Sequence, residues 1–295
     1  MGKFLKGTAI ILCFFMIWGY LNPLTVTAGG SDEEYKNTTN SYYLVGLNDF
    51  QDPKMNDTAG AYDVDKLGAL LNKENFSRSA SVNKSNLDAS KSEIISEGDK
   101  IKDKGPHDLF LLYMHSHGYK SDSWGKADFY FSPYDANGIL ESYVSGYDII
   151  SLLRKIDANK KVVIVESCHS GALIDDLMKN PSQDNSLLGY VVTGINYLSG
   201  KEETDSNKKY VVLTSCTADE LSYFKTNYGG IFTDYLLEAC EKKECDLDND
   251  GWISVEEAFH YAQDKTIKYQ RSRKIKQTPQ MYDGNPREEV ELVKL

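Results

Sequence analysis

The sequence predicts an α/β fold in which a mostly parallel central sheet lies between helices on both faces. Three observations predict it. Residues 109–114 (LFLLYM), 161–165 (KVVIV) and 210–213 (YVVL) are continuous apolar runs, as expected of strands buried on both faces. Segments with helical spacing of apolar residues separate them. Alternation of this kind closes into a parallel sheet with crossover helices.

Each element has its own signal. Residues 42–46 (YYLVG) form a short apolar run and read as the first strand. Residues 63–72 carry Val64, Leu67, Leu70 and Leu71 at helical spacing. Residues 88–104 begin at a cap-like Asn86-Leu87-Asp88 and carry Ile94, Ile95 and Ile101. Residues 129–131 read as a short edge strand. Residues 147–156 and 230–241 have helical spacing. The polar stretch 180–209 reads as a long loop around an apolar piece at 187–192.

The chain of 295 residues is 41% hydrophobic and 26% charged, enough apolar material for a large core. Its net charge of -11 gives no general pull toward nucleic acid or anionic membranes. Twenty tyrosines point to a packed, partly polar interior.

The N-terminus reads as an export signal. Lys3 and Lys6 precede an apolar run over 8–21, Asn22-Pro23 breaks it, and Val26-Thr27-Ala28 offers small residues for cleavage. Residues 1–28 are therefore read as a signal peptide, 29–40 as a linker and 41–290 as the folded domain. The expected location is secreted or extracytoplasmic. An uncleaved anchor is the alternative and the one route to membrane association. Cys13 leaves with the signal, and Cys168, Cys216, Cys240 and Cys245 remain. Four cysteines are no disulfide framework for this length, although the Cys240–Cys245 spacing permits a bridge. Asn37, Asn56, Asn75 and Asn83 each begin an N-x-[ST] triplet.

Two reactive side chains follow buried strands. LFLLYMHSHG ends at His117-Gly118, and KVVIVESCHSG places Cys168 just beyond its strand. Ligands of doubly wound sheets bind beyond the carboxyl ends of the strands. A thiol nucleophile needs a proton acceptor, and imidazole titrates in the useful range. Neighbouring strand ends hold such a pair without sequence adjacency. Gly118 and Gly171 would admit substrate backbone and leave amides for an oxyanion. His115 points to the same face as His117, but the glycine after His117 opens the turn and favours His117. His169 adjoins Cys168 on a turn and is poorly placed to act on it.

His-Gly after one strand and Glu-Ser-Cys-His-Ser-Gly after the next resemble the caspase-like cysteine peptidases, which include caspases, metacaspases and legumains. FYFSPYDA at 129–136, TSCTADELSY at 214–223 and GIFTDYLLEA at 230–239 extend the resemblance. It implies a caspase-like three-layer sandwich and peptide hydrolysis through a thioester acyl-enzyme. It also implies a His117–Cys168 dyad, with the Gly118 and Cys168 amides as oxyanion donors. In metacaspases and legumains the acid two residues before the nucleophile lines the primary specificity pocket; here it is Glu166. A second metacaspase acid follows the first strand, and Asp63 is the nearest match. Two desolvated carboxylates favour a cation, so cleavage after Arg or Lys is expected. Asp219 and Glu220 could also enter the pocket. Legumains carry Glu at the first position and prefer Asn, which leaves an Asn-specific peptidase or transpeptidase as an alternative. Glu166 could instead cap the next turn. Gln277-Thr278-Pro279-Gln280 resembles a closing stretch of this group, with Pro279 as an edge or turn residue.

A second motif stands apart from the first. Asp246, Asp248, Asp250, Gly251, Ser254 and Glu257 match positions 1, 3, 5, 6, 9 and 12 of an EF-hand loop over residues 246–257. The Trp252 carbonyl would serve at position 7, and helix patterns flank the loop at 233–241 and 255–265. The expected cofactor is Ca2+, with no organic cofactor.

The leading expectation is a secreted, calcium-binding cysteine endopeptidase acting on protein or peptide substrates as a monomer. A catalytically silent caspase-fold protein that binds partners through calcium is the other reading. Related peptidases cut themselves between their halves, so the basic residues Lys179, Lys201, Lys208 and Lys209 mark the 180–209 loop as an expected maturation site.

Overall fold

The computed structural model describes residues 39–55, 57–122, 127–179 and 209–295. The apolar runs form one sheet. Its strands are β1 (Thr39–Gly46), β2 (Val82–Ser85), β3 (His107–His115), β7 (Ala158–Glu166), β8 (Lys209–Thr214) and β12 (Gln280–Asp283). They lie in the order β12-β8-β7-β3-β1-β2. All neighbours are parallel except β12, which runs antiparallel to β8 at one edge.

The two faces alternate along each strand. On one side Tyr43, Val45, Phe110, Leu112, Met114, Val163 and Val165 pack against α2 (Lys91–Lys102), α3 (Gly146–Lys155) and α4 (Ala172–Lys179). On the other, Tyr42, Leu44, Leu109, Leu111, Tyr113, Val162 and Ile164 pack against α1 (Gly60–Leu71), α5 (Ile231–Ala239) and α6 (Val255–Ser272). This period of two, with both faces covered, explains why β3 and β7 read as unbroken apolar runs. The expected three-layer α/β sandwich is the observed fold.

The differences lie at boundaries and in short elements. β1 begins at Thr39, so it takes two residues from the segment read as linker. The helix expected from Asp88 starts at Lys91, because the Ser90 hydroxyl accepts from the Glu93 N–H at 3.3 Å and caps it there. Residues 129–131 are not an edge of the main sheet. They form β5 (Phe129–Phe131), central in a small sheet with β4 (Gly118–Lys120) and β6 (Val144–Ser145). Pro279 does precede the edge strand β12, whose missing donor falls outside the ladder. Cys240 and Cys245 are buried free thiols in this structure.

Lys209 is not part of a cleavable loop. It opens β8 with no exposure, and its ammonium meets Glu256, Asp283 at 3.3 Å and the Glu288 carbonyl. Lys179 ends α4 and pairs with Asp128. Residues 1–38, with the expected signal peptide, Cys13 and Asn37, lie outside the described residues. So do Asn56, the 187–192 piece, Lys201 and Lys208.

Candidate active site

The adjacent strands β3 and β7 end level with one another, with His115 opposite Glu166. The chain leaves both at the carboxyl edge, and each turn carries one half of the expected dyad. Past β3, the His117 carbonyl accepts from the Ser132 N–H at 3.0 Å, and Gly118 enters β4 opposite Phe131. The His117 ring stacks on Phe50 with centroids 5.2 Å apart and planes 27° off parallel. Past β7, Ser167 is held by Ser215 at 3.1 Å before Cys168, and the turn leads into α4.

Gly118 joins the two turns. A Cβ there would strike the Cys168 carbonyl and the Ser167 hydroxyl, so only hydrogen fits at this crossing. Gly171 serves the same purpose elsewhere. Its Cβ would meet the Ala218 amide and the Gln280 side chain. Both glycines admit the protein's own backbone, where the sequence suggested substrate backbone.

Cys168 is half-buried between strand ends and the segment after β8. The Ser222 N–H lies 3.4 Å from its Sγ, and the Ser222 carbonyl lies 3.7 Å from the same sulfur. Burial pushes its thiol above the ordinary range, the Ser222 contact pulls it back, and Glu166 pushes it up further. A partner that accepts the proton is therefore required for nucleophilic chemistry near neutral pH. His169 is turned elsewhere. It adopts a positive φ of 60°, and its Nδ1 lies 2.9 Å from the Ala218 carbonyl, which makes that nitrogen the donor.

The two acids expected in the pocket come together. Asp63 and Glu166 are 0% and 1% exposed. Asp63 Oδ2 accepts from the Tyr113 hydroxyl at 2.8 Å and the Gly230 N–H at 2.9 Å, and lies 2.6 Å from His115 Nδ1. Its Oδ1 has no hydrogen-bond partner. Glu166 Oε2 accepts from the Thr233 N–H at 2.8 Å and hydroxyl at 3.0 Å, and Oε1 from the Ser222 hydroxyl. The Tyr113 and Thr233 hydroxyls touch at 2.9 Å and close the network. Gly229 and Gly230, in the hairpin of β9 (Phe224–Lys225) and β10 (Gly229–Gly230), cover it. A Cβ on the first would strike Asp63 and on the second Glu166. Burial pushes the Glu166 carboxyl up. The neighbouring His115 and the Ser222 and Thr233 donors pull against that, while Asp63 adds to it. Glu166 thus receives the Thr233 N–H from the first turn of α5 rather than capping its own turn.

Asp219 and Glu220 do not join this pair. Asp219 is exposed and pairs with Lys120 at 2.8 Å. Glu220 anchors the C-terminal segment, accepting from the Thr278 N–H at 2.8 Å and pairing with Lys276 at 2.9 Å. The sequence reading missed Tyr113, Thr233 and Ser222. Their hydroxyls carried no motif of their own, although Tyr113 lies two positions before His115 on the same strand face.

In the 246–257 loop, ligand atoms of Asp246, Asp248 and Asp250 all lie within 4.8 Å of one another. Gly251 has φ +90°, the conformation the sixth loop position requires. Ser254 caps α6, and Glu257 closes the capping box, accepting from the Ser254 N–H at 2.9 Å. Its other oxygen accepts from the Leu247 N–H at 2.6 Å. The entering helix ends at Ala239, earlier than the pattern suggested, and a 3-10 turn (Lys243–Cys245) leads into the loop. β11 (Trp252–Ser254) pairs antiparallel with β13 (Glu291–Lys294).

The caspase-domain family profile matches residues 43–291. No match is found among curated proteins. Among solved structures, caspase-1 from Spodoptera frugiperda is similar at 13% identity and a TM-score of 0.57, covering 87% of this chain and 90% of that one. A Geobacter sulfurreducens protein is similar at 18% identity and a TM-score of 0.52, covering 83% and 93%. These likenesses show the fold. With the profile spanning nearly all described residues, over a sheet edge that carries His117 and Cys168, the chain belongs to the caspase-domain family of cysteine peptidases.

Proposed function

We propose that the protein is a cysteine endopeptidase that cleaves after Arg or Lys. The observation that carries this reading is the convergence of Asp63 and Glu166 beside the Cys168 turn, both buried, with Asp63 Oδ1 unpartnered. A buried carboxylate oxygen without a donor is costly unless a donor arrives. A substrate guanidinium or ammonium supplies one and matches the charge, provided that the Gly229–Gly230 hairpin covering both acids shifts to admit it.

The chemistry follows from the side chains present. His117 accepts the Cys168 thiol proton, and the thiolate attacks the scissile carbonyl carbon. The carbonyl electron pair moves to oxygen, where the Gly118 and Cys168 N–H groups stabilise it. Collapse expels the amine, which takes its proton from His117, and leaves a thioester. Water, deprotonated by His117, attacks the thioester. The acid product leaves and the thiol is restored.

The reading includes export of the chain and calcium in the 246–257 loop. Three convergent carboxylates and the Gly251 turn support a fit to a hard, oxygen-liganded cation. Asp246, Asp248, Asp250, the Trp252 carbonyl, Ser254 and Glu257 would hold it, and Glu257 would have to release at least one of its present donors. Calcium there supplies cross-linking of the loop rather than a chemical step.

The test is hydrolysis of fluorogenic peptides ending in Arg, Lys, Asn or Asp by wild type, Cys168→Ala and Asp63→Asn. Turnover of Arg and Lys peptides, lost in Cys168→Ala and at least ~10-fold weaker in KM in Asp63→Asn, is expected. Preference for Asn would replace this reading with a legumain-like one. A folded wild type that cleaves none of the four would leave the silent binding protein.

A further inference from the structure

The closing stretch at 277–280 reaches the candidate site through a single buried side chain. Gln277 is 2% exposed. Its Nε2 lies 3.1 Å from the Ser215 carbonyl and 3.2 Å from the Ser222 hydroxyl, and its Oε1 accepts from Gln270 Nε2 at 2.7 Å. A carbonyl only accepts, so the Ser215 contact fixes the nitrogen of Gln277 on that side. Gln277 is therefore the donor to Ser222. A serine hydroxyl has one proton to give. Because Gln277 donates to its oxygen and cannot receive its proton, Ser222 directs that proton at Glu166 Oε1.

We propose that Gln277 is a positioning residue for the specificity pocket, orienting the Ser222 hydroxyl so that it donates to Glu166 and keeps that carboxylate an acceptor for a cationic substrate side chain. This rests on the reading of Glu166 as part of a pocket for Arg or Lys. Glu166 is buried, so each donor it holds matters to its charged form. Asp63 on α1, Tyr113 and His115 on β3, Cys168 on its own turn and Cys216 after β8 also bear on it electrostatically. Of these, none lies on the segment that carries Gln277. Gln270 on α6 completes the arrangement by holding the Gln277 oxygen away from Ser222.

The test is Gln277→Glu, which keeps shape but puts an acceptor where the donor was. Ser222 then turns its proton toward residue 277 and away from Glu166. The expected result has three parts. KM for an Arg peptide rises about 10-fold with kcat within about 3-fold of wild type. The acid limb of kcat/KM moves to higher pH, because a carboxylate that loses a donor protonates more readily. Alkylation of Cys168 by iodoacetamide keeps its wild-type rate, since the reagent is uncharged and ignores the pocket. Ser222→Ala should reproduce the KM effect, and Gln277→Glu should add nothing further in that background. Unchanged KM and pH limb in Gln277→Glu would overturn the inference. So would a fall in kcat with slowed alkylation, which is the signature of a merely structural role. Failure of wild type to cleave after Arg or Lys is read before any variant, and overturns the proposed function and this inference together.

Discussion

Gly118 lies against the carbonyl of Cys168 with no space for a Cβ between them. The contact sets the spacing of the two turns that carry His117 and Cys168. Gly118→Ala must push these turns apart, and misplacement on the order of 1 Å costs catalysis about 100-fold. The expected outcome is a kcat loss of that size on the best peptide, with circular dichroism close to wild type and a thermal midpoint lowered by the overpacking strain of about 1–3 kcal/mol. Normal turnover in Gly118→Ala would show that the turn spacing does not govern the chemistry.

Phe50 stacks on the His117 ring from the loop after β1. A stacked pair contributes about 0.5–1.5 kcal/mol beyond burial. Phe50→Ala removes one packing contact of the imidazole and is expected to lower kcat about 3- to 10-fold with KM little changed. Phe50→Tyr, which keeps the ring, should recover most of the loss. Steady-state kinetics on both variants check this.

Asp176 supplies a pH dependence of stability. Its carboxylate is buried and accepts from the Asp128 N–H at 2.7 Å and the Phe129 N–H at 3.0 Å. Burial, the larger effect, pushes it up to about 6. A folded-state value above the unfolded one means that the native protein binds more protons between pH 4 and 6. Stability contributed by this group is therefore present at low pH and lost as pH rises through about 6. Asp176→Asn should flatten the fall in thermal midpoint between pH 4 and 6.5, whatever constant offset the substitution brings at the Phe129 N–H. An unchanged slope would assign the dependence to other groups.

Calcium at 100 times its dissociation constant should stabilise the fold by about 2.7 kcal/mol, or roughly 5 °C in midpoint for a domain of this size. Chelator should reverse the shift, and Asp246→Ala with Asp248→Ala should abolish it. A wild-type midpoint that ignores both calcium and chelator would remove the metal from the reading.

The sheet and both candidate catalytic side chains were legible because their signals are local. β3 and β7 are apolar on both faces, and a run of that kind reads as a strand without knowledge of its neighbours. Asp63 and Glu166 were found through resemblance, since 103 positions of sequence separate them. Only the fold brings them to the same pair of glycines. β12 and α4 escaped the pattern reading. β12 is a half-buried edge strand without clean alternation, and α4 begins in a turn whose motif reads first as chemistry. The edge-strand expectation for residues 129–131 failed because FYF pairs with β4 on one side and β6 on the other, in a small sheet packed against α3 and α4. Lys209 looked like a protease target because sequence records its charge and not its buried partners.

β8 is parallel to β7 along six registered positions, from Lys160 opposite Lys209 to Val165 opposite Thr214, and antiparallel to β12 on its other side. The portion from Lys209 onward therefore supplies two of the six strands and the helices α5 and α6. A break in the chain anywhere between α4 and β8 would leave that portion knitted into the body by the β7–β8 ladder, while the buried ammonium of Lys209 ties β8 to Glu256, Asp283 and Glu288 within the portion itself. Such a nicked protein would run as two bands on a denaturing gel yet elute from a sizing column as one particle. The halves, made separately and mixed, would be expected to find each other by fragment complementation.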